Sequence, residues 1–211
     1  MVMIRPIFAE DIFDTIKIYV SMMKKIFALV AAVVVAFGAS AQIEKGDVVV
    51  TAGVGVGNTV YGSGYSNALL PISLGGEFCV TEELFGVSGL CFGVGPSVSY
   101  TQAKQDYSEL IKGAGYKFSS VIVEAKGYVH YNLFKVDELD TYVALALGWN
   151  VASAKPYGWG EHSELMKVDS ASGFYYAFAV GARYWFTDAI GANLEAGYGM
   201  SFLKAGVTFK F

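Results

Sequence analysis

Few side chains in this chain are suited to acid–base, nucleophilic or metal chemistry. It holds two histidines and two cysteines in 211 residues. His162 sits beside Glu161, Ser163 and Glu164. Those are the residue types of a hydrolytic triad. Neighbouring residues on an extended chain point apart, however, and no glycine-framed nucleophile elbow is present. The segment reads as a solvated polar loop, and no catalytic residues are assigned. His130 stands apart from it, among Glu124, Lys126 and alternating apolar residues. Cys79 and Cys91 flank a turn near Phe85 symmetrically, so a disulfide and a pair of small buried thiols both fit. No histidine or further cysteine lies at ligand spacing, so neither a metal nor another cofactor is expected.

The remaining candidates are titratable groups set singly into apolar alternation: Glu77, Glu124, Lys126, His130, Arg183, Glu195, Lys204 and Lys210. Their spacing makes sense only on strands. In residues 173–186, Phe174, Tyr176, Phe178, Val180, Ala182, Tyr184 and Phe186 form one alternate set. Gly173, Tyr175, Ala177, Ala179, Gly181, Arg183 and Trp185 form the other. Period-two alternation is the mark of a strand with two unlike faces. A soluble sandwich hides its bulky face. A barrel in lipid points bulk outward and turns small or polar groups into its lumen.

Seven further segments fit the same template: about Asp47 to Gly57, Leu69 to Val80, Val87 to Thr101, Tyr116 to Leu133, Thr141 to Val151, Ala189 to Gly199 and Phe202 to Phe211. The connections alternate in length. Thr81 to Gly86, Lys135 to Asp140 and Thr187-Asp188 read as short turns. Asn58 to Ala68, Gln102 to Gly115 and Ala152 to Ser170 read as long loops, and Gly199 to Ser201 is a short exception. The fold class expected is an all-β, eight-stranded antiparallel up-and-down transmembrane β-barrel, preceded by a cleaved signal peptide. Short turns and longer outer loops place both termini in the periplasm. Pro96, in mid-strand, is expected at a bulge.

The start of the chain agrees with export. Met23-Lys24-Lys25 is a positive n-region, Ile26 to Gly38 an apolar run, and Ala39-Ser40-Ala41 a small-x-small cleavage site. The run is shorter than a membrane-spanning helix requires. Residues 1–22 read as an upstream extension from an early start, 23–41 as the signal peptide and 42–211 as the barrel. Charged residues make up 16 % and hydrophobic ones 54 % of the sequence, with 25 glycines, 14 tyrosines and 15 phenylalanines. Without residues 1–41, 11 Lys and Arg stand against 16 Asp and Glu. That acidic balance excludes nucleic acid as a partner.

The stretch GARYWFTDAIGANLEAGYG followed by LKAGVTFKF resembles the bacterial outer-membrane β-barrel domain family, the small OmpA/OmpX-type barrels. There a strand ending in aromatics turns tightly into the next, and the last strand ends in an aromatic residue. The resemblance implies an outer-membrane location and makes Phe209 and Phe211 the signal read by the barrel-insertion machinery. It does not fix function, because one fold hosts many roles.

An eight-stranded barrel is only wide enough for side chains to fill it. Opposite charges in that lumen are expected to pair, since a lone buried charge costs several kcal/mol. A salt-bridged plug around Glu124, Lys126, Arg183 and Glu195, with Glu77 and Lys204 nearby, is the favoured reading. A narrow porin-like channel through the same groups is the alternative. Tyr61, Tyr65, Tyr107, Tyr157 and Trp159 fall in the long loops, where an extracellular protein, a glycan or lipopolysaccharide would be met. The expected protein is a non-enzymatic monomer in contact with outer-membrane lipid.

Overall fold

The computed structural model describes residues 43–61, 65–107, 113–160, 163, 165–169 and 172–211. The expected upstream extension and signal peptide lie outside the described residues, as do His162, Glu161 and Glu164. Eight antiparallel strands close in sequence order: β1 (Val48–Asn58), β2 (Ser66–Leu84), β3 (Val87–Asp106), β4 (Gly115–Tyr131), β5 (Leu139–Tyr157), β6 (Gly173–Trp185), β7 (Ile190–Tyr198) and β8 (Ser201–Lys210). Closure pairs β1 with β8 from Val49↔Lys210 to Asn58↔Ser201. Phe211 extends that seam, its N–H donating to the Val48 carbonyl at 2.9 Å.

One end of the barrel carries the C-terminus and the connections 85–86, 132–138 and 186–189, while the other carries 59–65, 107–114 and 158–172 together with the two-residue β7–β8 turn at 199–200. Phe85 and Gly86 both have positive φ, 55° and 75°, the backbone a two-residue hairpin turn requires. Lys135, also at positive φ, turns the chain between β4 and β5. The β6–β7 turn is closed by Phe186 and Thr187 N–H groups donating to the Ile190 carbonyl at 2.8 and 3.1 Å.

Strand length departs from the sequence expectation. β2 to β5 contain 19, 20, 17 and 19 residues, and all but β4 overrun the expected ends. β1 and β6 to β8 contain 11, 13, 9 and 10. The extra length lies mainly at the loop end. There Gln102 to Asp106 and Ala152 to Tyr157 continue the ladders on β4 instead of looping out. Their polar alternation resembles loop composition, but paired strands tolerate it wherever neither face needs to be apolar.

Pro96 is not at a bulge. β3 keeps one register across it on β4, with Pro96↔Ala125, and on β2 from Gly75↔Ser97 to Phe78↔Val94. The ladder simply skips Gly76 and Glu77, where the proline has no N–H to give. Gly95 permits the close approach, since a Cβ there would run into the Gly76 carbonyl oxygen. The nearest loop-end register shift falls between Leu69 and Ile72, where Pro71 sits.

The alternation resolves into an inverted protein. Large apolar side chains face outward: Leu145 is 70 % exposed and Phe174 66 %, while Val123, Leu147, Tyr176, Phe178, Val180 and Leu194 are also exposed. The buried set points into the lumen and is largely polar. It includes Glu77, Ser97, Ser99, Thr101, Ser120, Lys126, His130, Asp140, Arg183, Asn193, Glu195 and Thr208.

Candidate functional site

The lumen is built in layers. At the turn end Ile43, Val49, Cys79, Cys91 and Trp185 form an apolar floor. Cys79 and Cys91 are joined as a disulfide across the β2–β3 hairpin, with their Cα atoms 6.9 Å apart. Directly above lies a buried ionic cluster. Arg183 Nη2 donates to Glu77 Oε2 at 2.6 Å, and its Nη1 lies 3.7 Å from Asp140 Oδ2. His130 is held between the same two carboxylates. Its Nε2 is 2.5 Å from Glu77 Oε1, and its Nδ1 is 3.0 Å from both Asp140 oxygens. A carboxylate only accepts, so both ring nitrogens must donate, and the imidazolium is the form that fits.

Tyr128 and Tyr142 form the next layer, with the Arg183 guanidinium 5.4 and 4.7 Å from their ring centres. Above them Glu195 gathers two lysines: Lys126 Nζ donates at 2.7 Å and Lys204 Nζ lies 2.6 Å away, while Lys210 stands apart at the turn end over the Trp185 ring. The Tyr142 hydroxyl donates to Glu195 at 2.7 Å and accepts from Asn193 Nδ2 at 2.5 Å, tying the two ionic clusters together.

Arg183 therefore does not join Lys126 and Glu195 in one cluster, and the expected network is two. The registers supply the reason. Arg183 faces Asp140 on β5 and Asn193 on β7, whereas Glu195 pairs with Lys204 one inward position closer to the loop end. Glu124 enters no ion pair among the described residues, and its buried Oε2 has no hydrogen-bond partner among them. It borders a cavity of about 50 Å³ shared with Lys126, Tyr175, Glu195 and Lys204. A second cavity, about 230 Å³, opens at the turn end beside His130, Asp140, Glu44 and Glu82. Tyr128, Tyr142 and Arg183, all buried, separate the two.

At the loop end the aromatic residues pack against one another. Ser120, Phe118 and Tyr116 continue the inward face of β4. Tyr61 donates to or accepts from Ser120 Oγ at 2.9 Å, and its ring lies 6.1 Å from Phe118 and 5.7 Å from Tyr65. Tyr107 and Trp159 both rest 5.9 Å from Tyr116, and Trp159 Nε1 donates to the Gly115 carbonyl at 3.0 Å. Burial pushes the Tyr61 phenol above its usual range. Tyr157 belongs elsewhere. It lies on the outward face of β5, where its hydroxyl donates to Asp106 and that bond raises its pKa. So four of the five loop aromatics line one half-buried cluster, and the fifth marks the outer wall.

No protein-family model matches the chain, and no curated protein does. Solved structures share its general form. A structure from the de novo design of transmembrane β-barrels matches at 16 % identity, covering 81 % of this chain and 99 % of its own, with a TM-score of 0.46. Ail, the attachment invasion locus protein of Yersinia pestis, matches at 14 % identity over 79 % of this chain and 99 % of its own, with a TM-score of 0.43. The outer membrane protein OprG from Pseudomonas aeruginosa matches at 12 % identity over 80 % and 97 %, also with 0.43. Resemblance at this level says nothing of what the chain does.

Asp140 is missing from the inward set that the sequence suggests, and the partners of His130 are not legible there. Asp140 was expected in a turn, yet β5 begins at Leu139 and turns its carboxylate inward. Alternation along β4 turns His130 inward, but its partners come from β2 and β5, which no local pattern reveals. A signal existed for Asp140: it holds the same alternate parity as Tyr142, Ala144 and Ala146.

Proposed function

We propose that this chain is a non-enzymatic outer-membrane barrel whose lumen is closed by its own ion pairs and whose work is done at the loop end. The observation that carries this reading is the inversion of the fold. A closed ring of strands exposes Leu145, Leu147, Phe174, Phe178 and Val180 while it buries Arg183, Glu77, Lys126 and Glu195. An exposed apolar surface of that extent is a liability in water. In hydrocarbon it is the favoured arrangement, because closure satisfies every backbone group. The shorter strands, 9 to 11 residues in β7, β8 and β1, match the length that crosses a bilayer.

Phe211 and three connections of at most seven residues lie at one end, and the two longest, 107–114 and 158–172, lie at the other with the short β7–β8 turn; in a barrel of this kind the end with the shorter connections is the periplasmic one. Phe209 and Phe211 both face outward there, in keeping with a role in recognition by the insertion machinery. The plug reading is supported by charge balance. Glu77, Glu124, Asp140 and Glu195 face Lys126, His130, Arg183 and Lys204, four against four when His130 is protonated, and the Asp47–Lys210 pair at the turn end adds one of each sign. A channel is the runner-up, favoured only by the two cavities, and the Tyr128–Tyr142–Arg183 layer lies between them.

The deciding experiment has two stages. The exported protein, purified from membranes, is run boiled and unboiled on a gel, where a folded barrel changes mobility on heating. The same preparation is then placed in a planar bilayer. A heat-shifted band with an electrically silent bilayer is the expected result, and steady openings would overturn the plug in favour of the channel.

A further inference from the structure

The outward face above the apolar band can be followed layer by layer through the register of β3, β4 and β5. Val98, Val123 and Trp149 stand abreast, with Phe174 of β6 beside them. Next come Tyr100, Val121 and Val151, then Gln102, Ser119 and Ser153. The layer after that is Lys104, Lys117 and Lys155, flanked on β2 by Ser66. Three lysines thus stand directly opposite one another across two strand pairs. Lys104 and Lys155 are exposed and Lys117 is half-buried. Among the described residues none of the three forms an ion pair, and the carboxylate nearest in the register, Asp106, is engaged by the Tyr157 hydroxyl.

Like charges directly opposite across a sheet repel and destabilise it. A chain with a net charge of −4 nonetheless places three cations in a single row. Along each strand the row also lies at a defined distance beyond the apolar band, while across the strands it climbs about 3 Å per strand with their tilt. Each layer is two residues further along strands tilted by about 40°, so the Gln102 layer sits about 5 Å and the lysine layer about 10 Å above the last apolar one. That is the headgroup zone, and lysine stems can reach toward either side of it.

We propose that Lys104, Lys117 and Lys155 bind the phosphates of a phosphorylated sugar headgroup belonging to an outer-leaflet lipid packed against this wall. Gln102, Ser119 and Ser153 lie immediately below and offer amide and hydroxyl groups to the sugar. Continuity with the apolar band selects a membrane lipid over a soluble anion. The same molecule places its acyl chains against Tyr100, Val121 and Val151 and its phosphates on the lysines. The proposal rests on the outer-membrane reading with the loop end outward.

The test compares the wild type with the triple variant K104Q/K117Q/K155Q in lipid nanodiscs. Binding is titrated with lipid A, with its dephosphorylated form, and with soluble sucrose octasulfate. The wild type is expected to bind lipid A in a salt-sensitive manner and to lose most of that affinity when the lipid phosphates are removed. The triple variant should bind roughly 100-fold more weakly, as three lysines near an anionic surface imply. Its unfolding midpoint supplies a second reading. In zwitterionic nanodiscs the variant should be the more stable protein, because repulsion is relieved, and lipid A should reverse the order. Equal binding of lipid A by both proteins would overturn the proposal. So would binding of sucrose octasulfate as tight as that of lipid A and equally dependent on the lysines, which would make the row a site for soluble polyanions. A wild type with no heat-shifted band would instead bring down the membrane reading, and the lipid site with it.

Discussion

Arg183→Ala removes the cation on which the turn-end cluster depends. Arg183 is 1 % exposed, and its guanidinium lies 2.6 Å from Glu77 and 3.7 Å from Asp140. Without it, two carboxylates share one imidazolium in a space that is closed to water by Tyr128 and Tyr142 on one side. Removing one partner of a buried ion pair costs about 3–5 kcal/mol, because the survivor keeps its desolvation penalty. Loss of the contacts with the two tyrosine rings belongs to the same event and is not added. The variant should therefore lose about 3–5 kcal/mol in a urea titration in lipid vesicles, followed by tryptophan fluorescence and by gel mobility. The second arm is E77Q/R183A, in which the stranded charge is also gone and His130 keeps Asp140. Its cost should fall short of the sum of the two single substitutions by about 2 kcal/mol. Additive costs, or an Arg183→Ala variant within about 1 kcal/mol of wild type, would refute the account of the cluster as a mutually dependent set.

Two further outcomes follow from the same geometry. Replacing both cysteines by serine should lower stability by about 3 kcal/mol, the loop-closure value for a bridge of this span. Mass spectrometry after alkylation should find both thiols protected until the protein is reduced, and alkylation without reduction would show that no bridge forms. Glu124→Gln should cost less than about 1 kcal/mol, whereas Glu195→Gln, which deprives both Lys126 and Lys204, should cost several times more. The reverse order in urea titrations would place the central carboxylate at the wrong residue.

The eight strands and their faces were legible because lipid and lumen impose opposite demands on alternate positions. Leu145 and Ala146, or Phe178 and Ala179, announce their sides by size alone. The charges in the lumen were also legible one at a time, since an isolated Glu77 or Arg183 in an apolar stretch has nowhere else to go. Their partners were not. Which cation meets which carboxylate depends on shear between strands far apart in sequence, and no local pattern encodes it. That is why the partners of His130 stayed hidden, and why Asp140, next to a turn, reads as part of it. The overrun of β2, β3 and β5 was hidden for a different reason. Beyond the membrane neither face must be apolar, so Gln102 to Asp106 and Ala152 to Tyr157 lose the signature that marks a strand. The lysine row shares this origin: its members lie 13 and 38 residues apart in the sequence and meet only through the register.

The ion pairs of the lumen also bear on how the barrel comes to be closed correctly. Sliding one strand by two residues past its neighbour keeps every side chain on its own face of the wall, so apolar patterning alone does not forbid the error. The charges do. A two-residue slip of β6 would carry Arg183 away from both Glu77 and Asp140, and the same slip of β7 would separate Glu195 from Lys126 and Lys204. These pairs join β2 to β6, β4 to β7 and β7 to β8, so they are tested only as the late strands arrive. A misaligned intermediate is left with unmatched ions in its interior and a reason to reopen. A slipped closure that the apolar outer wall would accept therefore leaves the lumen with unmatched charge.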